Sequence, residues 1–349
     1  MIEGLFQRLL RTPRAAARKW PRPDWFLVGL IAVVATASVL PCDGAGARVF
    51  GVLAVAAIAS LFFLQGARLS REAIVAGTHW RLHLAIASST FILFPLLGLG
   101  LHALGKHQLP SLLLIGIMYV CVLPSTVQSS VALTSIARGN VAGAVCAASV
   151  SNLAGMVLTP LLLGALLRLH GGGIDFAAVW RILLELFVPL LIGHLLRPWI
   201  GDWADRNHAV FAVTDRGSIL LVVYTAFSAA VVHGVWHQLA LSTLALIVLA
   251  DGMLLSAALT IMTVACRASG TSRADEVAIV FCGCEKSLVT GVPMANLLFA
   301  ASAAGVILLP LMIYYPLQLF VCAWLARRYA ASAIAGPVSE HQLVPNPME

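Results

Sequence analysis

This sequence has little charge. Asp, Glu, Lys and Arg make up 11% of its 349 residues and hydrophobic residues 60%, whereas ordinary soluble domains carry about 25% charged residues. That balance excludes an ordinary soluble protein and indicates a polytopic membrane protein. Alternating segments of about ten residues, the mark of an outer-membrane barrel, are also lacking. Instead, near-uniform apolar runs of about 20 residues recur from Trp25 to Leu325, the length of a helix crossing a ~30 Å hydrocarbon core.

Catalytic motifs are missing too. There is no His-Glu-x-x-His, no Walker loop, no Gly-x-Gly-Asp and no nucleophile elbow, and the acidic stretch Asp202 to Arg206 is too short for a prenyltransferase pattern. No soluble domain is present to hydrolyse ATP. An enzyme is therefore not expected, and transport driven by an ion gradient is the default reading. The seven cysteines (Cys42, Cys121, Cys146, Cys266, Cys282, Cys284, Cys322) lie mostly in apolar segments. No second His/Cys cluster accompanies the Cys282-x-Cys284 pair, so they read as packing residues and not as a disulfide framework or metal site. No cofactor is expected beyond a coupling ion, sodium or proton.

Acidic residues are fewer than basic ones, which gives a net charge of +7. The basic residues sit in short loops and in an N-terminal tail (Arg8, Arg11, Arg14, Arg18, Lys19, Arg22). This reads as a cytoplasmic membrane anchor, with the lipid bilayer as partner and no nucleic acid. The first apolar run is slightly long for a cleaved signal peptide, as is its basic lead, so it reads as a helix.

Apolar windows between turn signals predict ten spans. The first five are Asp24 to Leu40, Val49 to Gln65, Leu82 to Leu104, Pro110 to Ile136 and Val141 to Leu167. The second five are Phe176 to Ile200, Ala209 to Val232, Gln238 to Ala265, Glu276 to Phe299 and Ala303 to Leu325. With the N-terminus cytoplasmic, seventeen basic residues fall inside and four outside, a strong positive-inside asymmetry that places both termini in the cytoplasm of a plasma membrane of the bacterial inner-membrane type. The predicted organisation is a basic cytoplasmic tail (1–23), a five-helix repeat (24–168), a second five-helix repeat (169–329) and a disordered cytoplasmic tail (330–349). An odd number of spans per half inverts one half relative to the other, as in many transporters; Pro160 and Pro310 sit at similar places in the two halves.

Two spans carry the polar residues. In span four Pro124 removes a backbone donor and predicts a break, and Ser125, Thr126, Gln128, Ser129 and Ser130 follow it. A broken helix at membrane depth is tolerated only when buried in protein or facing water. These side chains therefore predict a small hydrophilic cage; the bland alternative is hydroxyls bonding back to their own helix. In span nine Gly283, Gly291 and Pro293 flank Glu285 and Lys286. A charge at the bilayer centre costs ~2.5–3.5 kcal/mol on insertion scales and normally serves a function. The reading is an unwound crossing point with Glu285 accepting a cation or proton. Lys286 is then either a tethered counter-cation or a contact for an anionic substrate, alongside Ser287, Thr290, Ser125 and Asn152; the alternative is a structural Glu285–Lys286 ion pair. Weaker candidates are Asp251 and Glu185 as proton or pairing groups, His194, His233 and His237 near span ends, and a loop-proximal Asp215–Arg216 pair.

At these breaks the sequence resembles the bile acid/sodium symporter superfamily, closer to the branch of solute carrier family ten member seven proteins than to the bile acid carriers. The resembling stretches include "FFLQGARLS", "LPSTVQSSVALTSIARGNVAGAV", "SNLAGMVLTPLLLG", "LELFVPLLIGHLLRPW", "DRGSILLVVYTAFS" and "FCGCEKSLVTGVPMA". The resemblance implies ten helices in core and panel domains, broken helices four and nine crossing in the core, and alternating access to a cavity between the domains. It implies first-break ligands near Ser129 and Ser130 and second-break ligands near Glu285. The chain departs from the sodium-coupled pattern Glu-x-Gly-x-Gln-Asn: its acid, Glu285, follows Gly283, Lys286 replaces an amide, and Ala144 and Ala148 stand where span-five hydroxyls are expected. These departures count against sodium binding and against a bile acid substrate, and they offer the Lys286 ammonium as occupant of a sodium ion's place. The function expected is a secondary transporter of a small organic anion, bile-acid-like or another organic acid, coupled to sodium or protons. The alternative is a non-transporting regulatory scaffold with a transporter fold.

Overall fold

Helices satisfy every backbone polar group within one segment, which is what an apolar surround demands, and among the described residues all regular structure is helical. The computed structural model describes residues 25–68, 80–169, 176–232, 234 and 240–334. Its helices are α1 (Trp25–Val39), α2 (Gly44–Arg68), α3 (Trp80–Gly105, with a π turn at Ser89–Leu93), α4 (Ser111–Val122), α5 (Val127–Ile136) and α6 (Val141–Leu169). They continue as α7 (Phe176–Arg206), α8 (His208–Val232), α9 (Leu241–Ala268), α10 (Arg273–Cys284), α11 (Leu288–Leu298) and α12 (Ala301–Ile334).

Among the described residues six spans are long and apolar enough to cross a membrane, one of them Arg273–Leu298 with its break between α10 and α11, and α4 with α5, bent by 59°, makes a further broken span. Shorter apolar helical segments, Val28–Val39, Leu186–Gly201 and Arg216–Val232, lie within α1, α7 and α8. The chain is a multi-pass, all-helical membrane protein. The span Arg273–Leu298 has 94% of its apolar window buried, against 22% for Gly44–Ala67. The polar broken span is therefore wrapped in protein, while α2 turns Val49, Val52 and Val55 outward.

Packing separates two groups. Helices α1, α2, α7 and α8 pack on one another, and α3 to α6 pack with α9 to α12; α8 reaches across to α11 and α12, and α7 to α6 and α11. Without a hydrophobic drive between helices in lipid, close approach relies on small residues. The α2–α7 contact shows this: a Cβ at Gly66 would stand 1.9 Å from the Leu190 carbonyl oxygen, and one at Gly193 1.9 Å from that of Phe63.

Several boundaries differ from the sequence reading, α2 starting at Gly44 and α7 running to Arg206 among them, and two differences have a visible cause. α10 begins at Arg273, ahead of the expected Glu276, because the Ser272 hydroxyl caps it by accepting the Asp275 N–H at 3.2 Å. α12 continues through Ile334, into the stretch 330–349 expected to be a disordered tail. Its alanine-rich end favours helix, and the Arg273 guanidinium ties it down by donating to the Tyr329 carbonyl and to Ser332 Oγ (2.6 Å). The tail 1–23 and residues 335–349 lie outside the described residues, as do His233 and His237 and the side chains of Glu185 and Asp215.

The glycine contact is testable. Gly66→Ala should destabilise the purified protein by about 1–3 kcal/mol, the usual cost of overpacking, seen as a lower unfolding temperature. Gly51→Ala, on the same helix with open space around it, should leave that temperature unchanged.

Candidate functional site

Both interruptions arise from locally extended backbone. Leu123 is extended (φ −70°, ψ 147°), as a residue before proline prefers, and Thr126 (φ −83°, ψ 122°) precedes α5. In the second break Glu285 (φ −79°, ψ 129°) and Ser287 (φ −80°, ψ 111°) are extended. The two strands of backbone touch where the Ser287 N–H donates to the Pro124 carbonyl at 2.9 Å. Gly155 permits α6 to press on the crossing, since a Cβ there would lie 2.4 Å from the Pro124 ring.

The peptide groups freed by the breaks find side chains. Thr159 Oγ1 donates to the Val122 carbonyl at 2.7 Å, and Ser151 Oγ accepts the Ser125 N–H at 3.3 Å. The Tyr314 hydroxyl donates to the Cys284 carbonyl at 2.9 Å, and the Tyr119 hydroxyl adds a bond to the Gly291 carbonyl, within α11, at 2.6 Å. Gln318 holds the Lys286 peptide from both sides, its Oε1 accepting the N–H at 2.8 Å and its Nε2 donating to the carbonyl at 3.0 Å. None of these five residues stood out in the sequence; the available signal was a Tyr, Thr, Ser or Gln inside an otherwise apolar helix. Pro293, expected at the break, lies within α11. The break lies at Glu285 to Ser287, around the unwound point read in the sequence, and Ser287 caps α11 by accepting the Thr290 N–H at 3.2 Å.

The structure distributes the sequence-predicted residues over two places. A cavity of about 220 Å³ is lined by Thr126, Gln128, Asn152, Ser287 and Thr290, with Gln65 of α2, Ser149 and apolar side chains of α5, α6, α7 and α11. Thr290 Oγ1 donates to Asn152 Oδ1 at 2.7 Å and lies 3.0 Å from Ser287 Oγ. Asn152 Nδ2 reaches Gln65 Oε1 across the cavity at 3.5 Å. Gln65 and Ser149 are lining residues the sequence did not single out. α5 opens here without a side-chain cap, and the buried Thr126 Oγ1 has no hydrogen-bond partner among the described residues.

The second place is the buried interior beside the crossing. Ser129 Oγ donates to Glu285 Oε2, while Glu285 Oε1 has no hydrogen-bond partner among the described residues. Ser130 Oγ lies 3.4 Å from both the Phe281 carbonyl and Ser125 Oγ. Lys286, fully buried, sends its ammonium away from Glu285 to the carbonyls of Leu123 (2.9 Å), Thr90 (3.3 Å) and Cys121 (3.4 Å). Thr126 and Gln128, expected beside the cation, thus line the cavity, while Ser125 and Lys286, expected at the substrate, are buried away from it. The Glu285–Lys286 ion pair is not formed. Ala144 and Ala148 pack with Ala278 and Cys282 and bring no side-chain oxygen. Asp251 is also buried, and neither of its carboxylate oxygens has a hydrogen-bond partner among the described residues.

Residues 24–331 match the family described as the SBF-like CPA transporter family. The chain belongs to that family. Among its relatives, the uncharacterized protein PA2026 of Pseudomonas aeruginosa is 53% identical over 310 residues, covering 88% of this chain and 93% of that protein. The putative symporter YfeH of Escherichia coli is 50% identical over 307 residues, covering 88% and 92%. The sodium/bile acid cotransporter 7 of Rattus norvegicus is 31% identical over 308 residues, covering 86% and 90%. The family resemblance read from the two breaks is therefore shown, and this family member is a membrane protein of transporter kinship.

The Gln318 clamp generates a prediction. Gln318→Leu keeps the bulk but leaves the buried Lys286 N–H and carbonyl unpaired, at about 1–3 kcal/mol for each unsatisfied group. The unfolding temperature of the purified protein should fall well below that of wild type.

Proposed function

We propose that the protein is a secondary-active carrier of a small organic anion, coupled to sodium or protons and working by alternating access. On this reading it is not an enzyme. It has ten crossings arranged as inverted repeats over 24–168 and 169–329, in a bacterial inner-membrane setting with both termini cytoplasmic. The mobile unit is a core of α3 to α6 and α9 to α12, which moves against a panel of α1, α2, α7 and α8.

One observation carries the reading: polar groups from both breaks line one cavity between the two helix groups. Each break also starts a helix there, α5 after Thr126 and α11 after Ser287. Helix N-termini carry unsatisfied N–H groups and a partial positive charge, and half-helices in transporters present them to anionic substrates. No charged side chain is among the lining residues, so the N-termini, Gln128, Asn152, Ser287 and Thr290 are the anion's contacts. A volume of about 220 Å³ lies below the ~300–1,000 Å³ of drug-sized ligand pockets, which favours a small organic acid over a sterol. Glu285 with Ser129 and Ser130 is the place for the coupling cation or proton. Relatives named as a symporter and a cotransporter support coupling. A Glu285–Lys286 pair neutralised in a closed core would favour the scaffold alternative, and the two side chains bond to other partners.

The test is a thermal-stability screen of purified protein against small organic acids. A binder present at 100 times its Kd stabilises by about 2.7 kcal/mol. The expected result is stabilisation of wild type by a small carboxylate and its loss in Asn152→Leu and Thr290→Val, with uptake into proteoliposomes lost in parallel. A screen in which no organic anion stabilises wild type, or in which the stabilising one acts equally on both variants, defeats the reading.

A further inference from the structure

Lys286 presents a separate problem. Its side chain is fully buried, and an ammonium in such surroundings needs charge compensation or dense hydrogen bonding. Among the described residues no carboxylate pairs with it at ion-pair distance: Glu285, next to it in sequence, bonds to Ser129, and the buried Asp251 carboxylate has no hydrogen-bond partner. The ammonium instead sits among three main-chain carbonyls, those of Thr90, Cys121 and Leu123, at 2.9–3.4 Å, and 3.9 Å from the centre of the Phe94 ring.

Each carbonyl is supplied by irregular backbone or a helix end. Thr90 lies in the π turn of α3, Cys121 in the last turn of α4, and Leu123 in the extended stretch before Pro124. The C-terminal end of a half-helix carries a partial negative charge, and in transporters such ends and unwound carbonyls coordinate small cations. An aromatic face adds a cation–π attraction. The donor set contains neutral oxygens and a ring and no carboxylate, which matches a single positive charge; a divalent ion calls for acidic ligands. Gln318 fixes the Lys286 peptide from which the ammonium is suspended.

We propose that the carbonyls of Thr90, Cys121 and Leu123, with the Phe94 ring, form a monovalent-cation site that the Lys286 ammonium occupies as a tethered ion. The protein then needs no free alkali cation at this position, and truncating the side chain opens the site to one. This deepens the ion side of the proposed carrier. It leaves Glu285 as the place where a free cation or proton enters, and it concerns binding alone.

The test measures unfolding temperatures of purified wild type, Lys286→Ala and Lys286→Met in equimolar lithium, sodium, potassium and choline chloride. Lys286→Ala should unfold at least ~2 °C higher in one alkali chloride than in choline chloride, saturably with concentration. Wild type and Lys286→Met, whose side chains both fill this site, should show at most the response of a cation at Glu285, the same in both and smaller than that of Lys286→Ala. A folded Lys286→Ala that responds to none of the alkali ions overturns the proposal. An equal response in wild type or Lys286→Met does so too, because the ion would then bind elsewhere. Failure of Lys286→Ala to fold in every salt also overturns it, since a free ion would have failed to replace the ammonium. No organic acid enters the measurement, so the outcome is independent of whether the carrier reading survives its own screen.

Discussion

A peptide group without a partner costs several kcal/mol in hydrocarbon, and two helices broken in mid-span create many such groups at once. The crossing resolves this by pairing the breaks with each other and with their neighbours. The Ser287 N–H meets the Pro124 carbonyl, Thr159, Ser151, Tyr314 and Gln318 take up other freed groups, and Tyr119 ties α4 to the Gly291 carbonyl of α11. These partners come from α4, α6 and α12, so neither break can shift without disturbing the helices that satisfy it. That binds the crossing and its surrounding helices into one unit. Across the cavity, by contrast, α2 meets this unit through an Asn152–Gln65 approach of 3.5 Å. Sliding there sacrifices little hydrogen bonding, which is the mechanical condition for a core that moves against a panel.

The same extended backbone explains how two opposite charges, adjacent in sequence, come to serve different places. On a helix neighbouring side chains diverge by about 100°; on extended backbone they point to opposite sides. Glu285 turns to Ser129, in the first turn of α5, and Lys286 turns to carbonyls at the end of α4. Each charge therefore meets the half-helix end of opposite sign in the first broken span. An ion pair would have cancelled both charges in a closed interior. The break keeps them apart and stabilises each one locally.

How much of this was legible in the sequence depended on whether the cause was local. Apolar runs set the helices because burial in lipid is read residue by residue, and Pro124 marked the first break because its effect on helix geometry is intrinsic. The second break was read at Glu285 and Lys286 from the flanking Gly283, Gly291 and Pro293, and the helix is interrupted there, but Pro293 itself sits inside α11. The position of the break is set by Ser287 as a cap and by Tyr314 and Gln318 on α12, side chains remote in sequence. Pro160 and Pro310 lie inside helices that continue past them, so a proline alone was not a sufficient signal. The polar residues of both breaks were found, but their division between cavity and interior was not, because it depends on the side each extended residue faces. The carbonyls around Lys286 were invisible in principle: a main-chain oxygen leaves no trace in residue identity. Gln65 and Ser149 were missed because one polar residue in an apolar helix carries no label of what it faces.

The arrangement of charge also bears on coupling. The positive end of α5 faces two groups. One is the cavity, through Thr126 and Gln128; the other is the Glu285 carboxylate, through Ser129. Glu285 is also two residues from Ser287, which lines the cavity. In a medium of low dielectric, two like charges this close along one backbone repel strongly. On the proposed reading, an anion entering the cavity and an ionised Glu285 compete for the same helix end. A proton or cation arriving at Glu285 removes that competition and makes anion binding favourable, and the departing anion loosens the cation in turn, as linkage requires. Lys286 takes no part in this exchange while it is held at α4. Coupling then follows from placing one mobile positive charge and one mobile negative charge on the same half-helix, with the tethered positive charge held at the other.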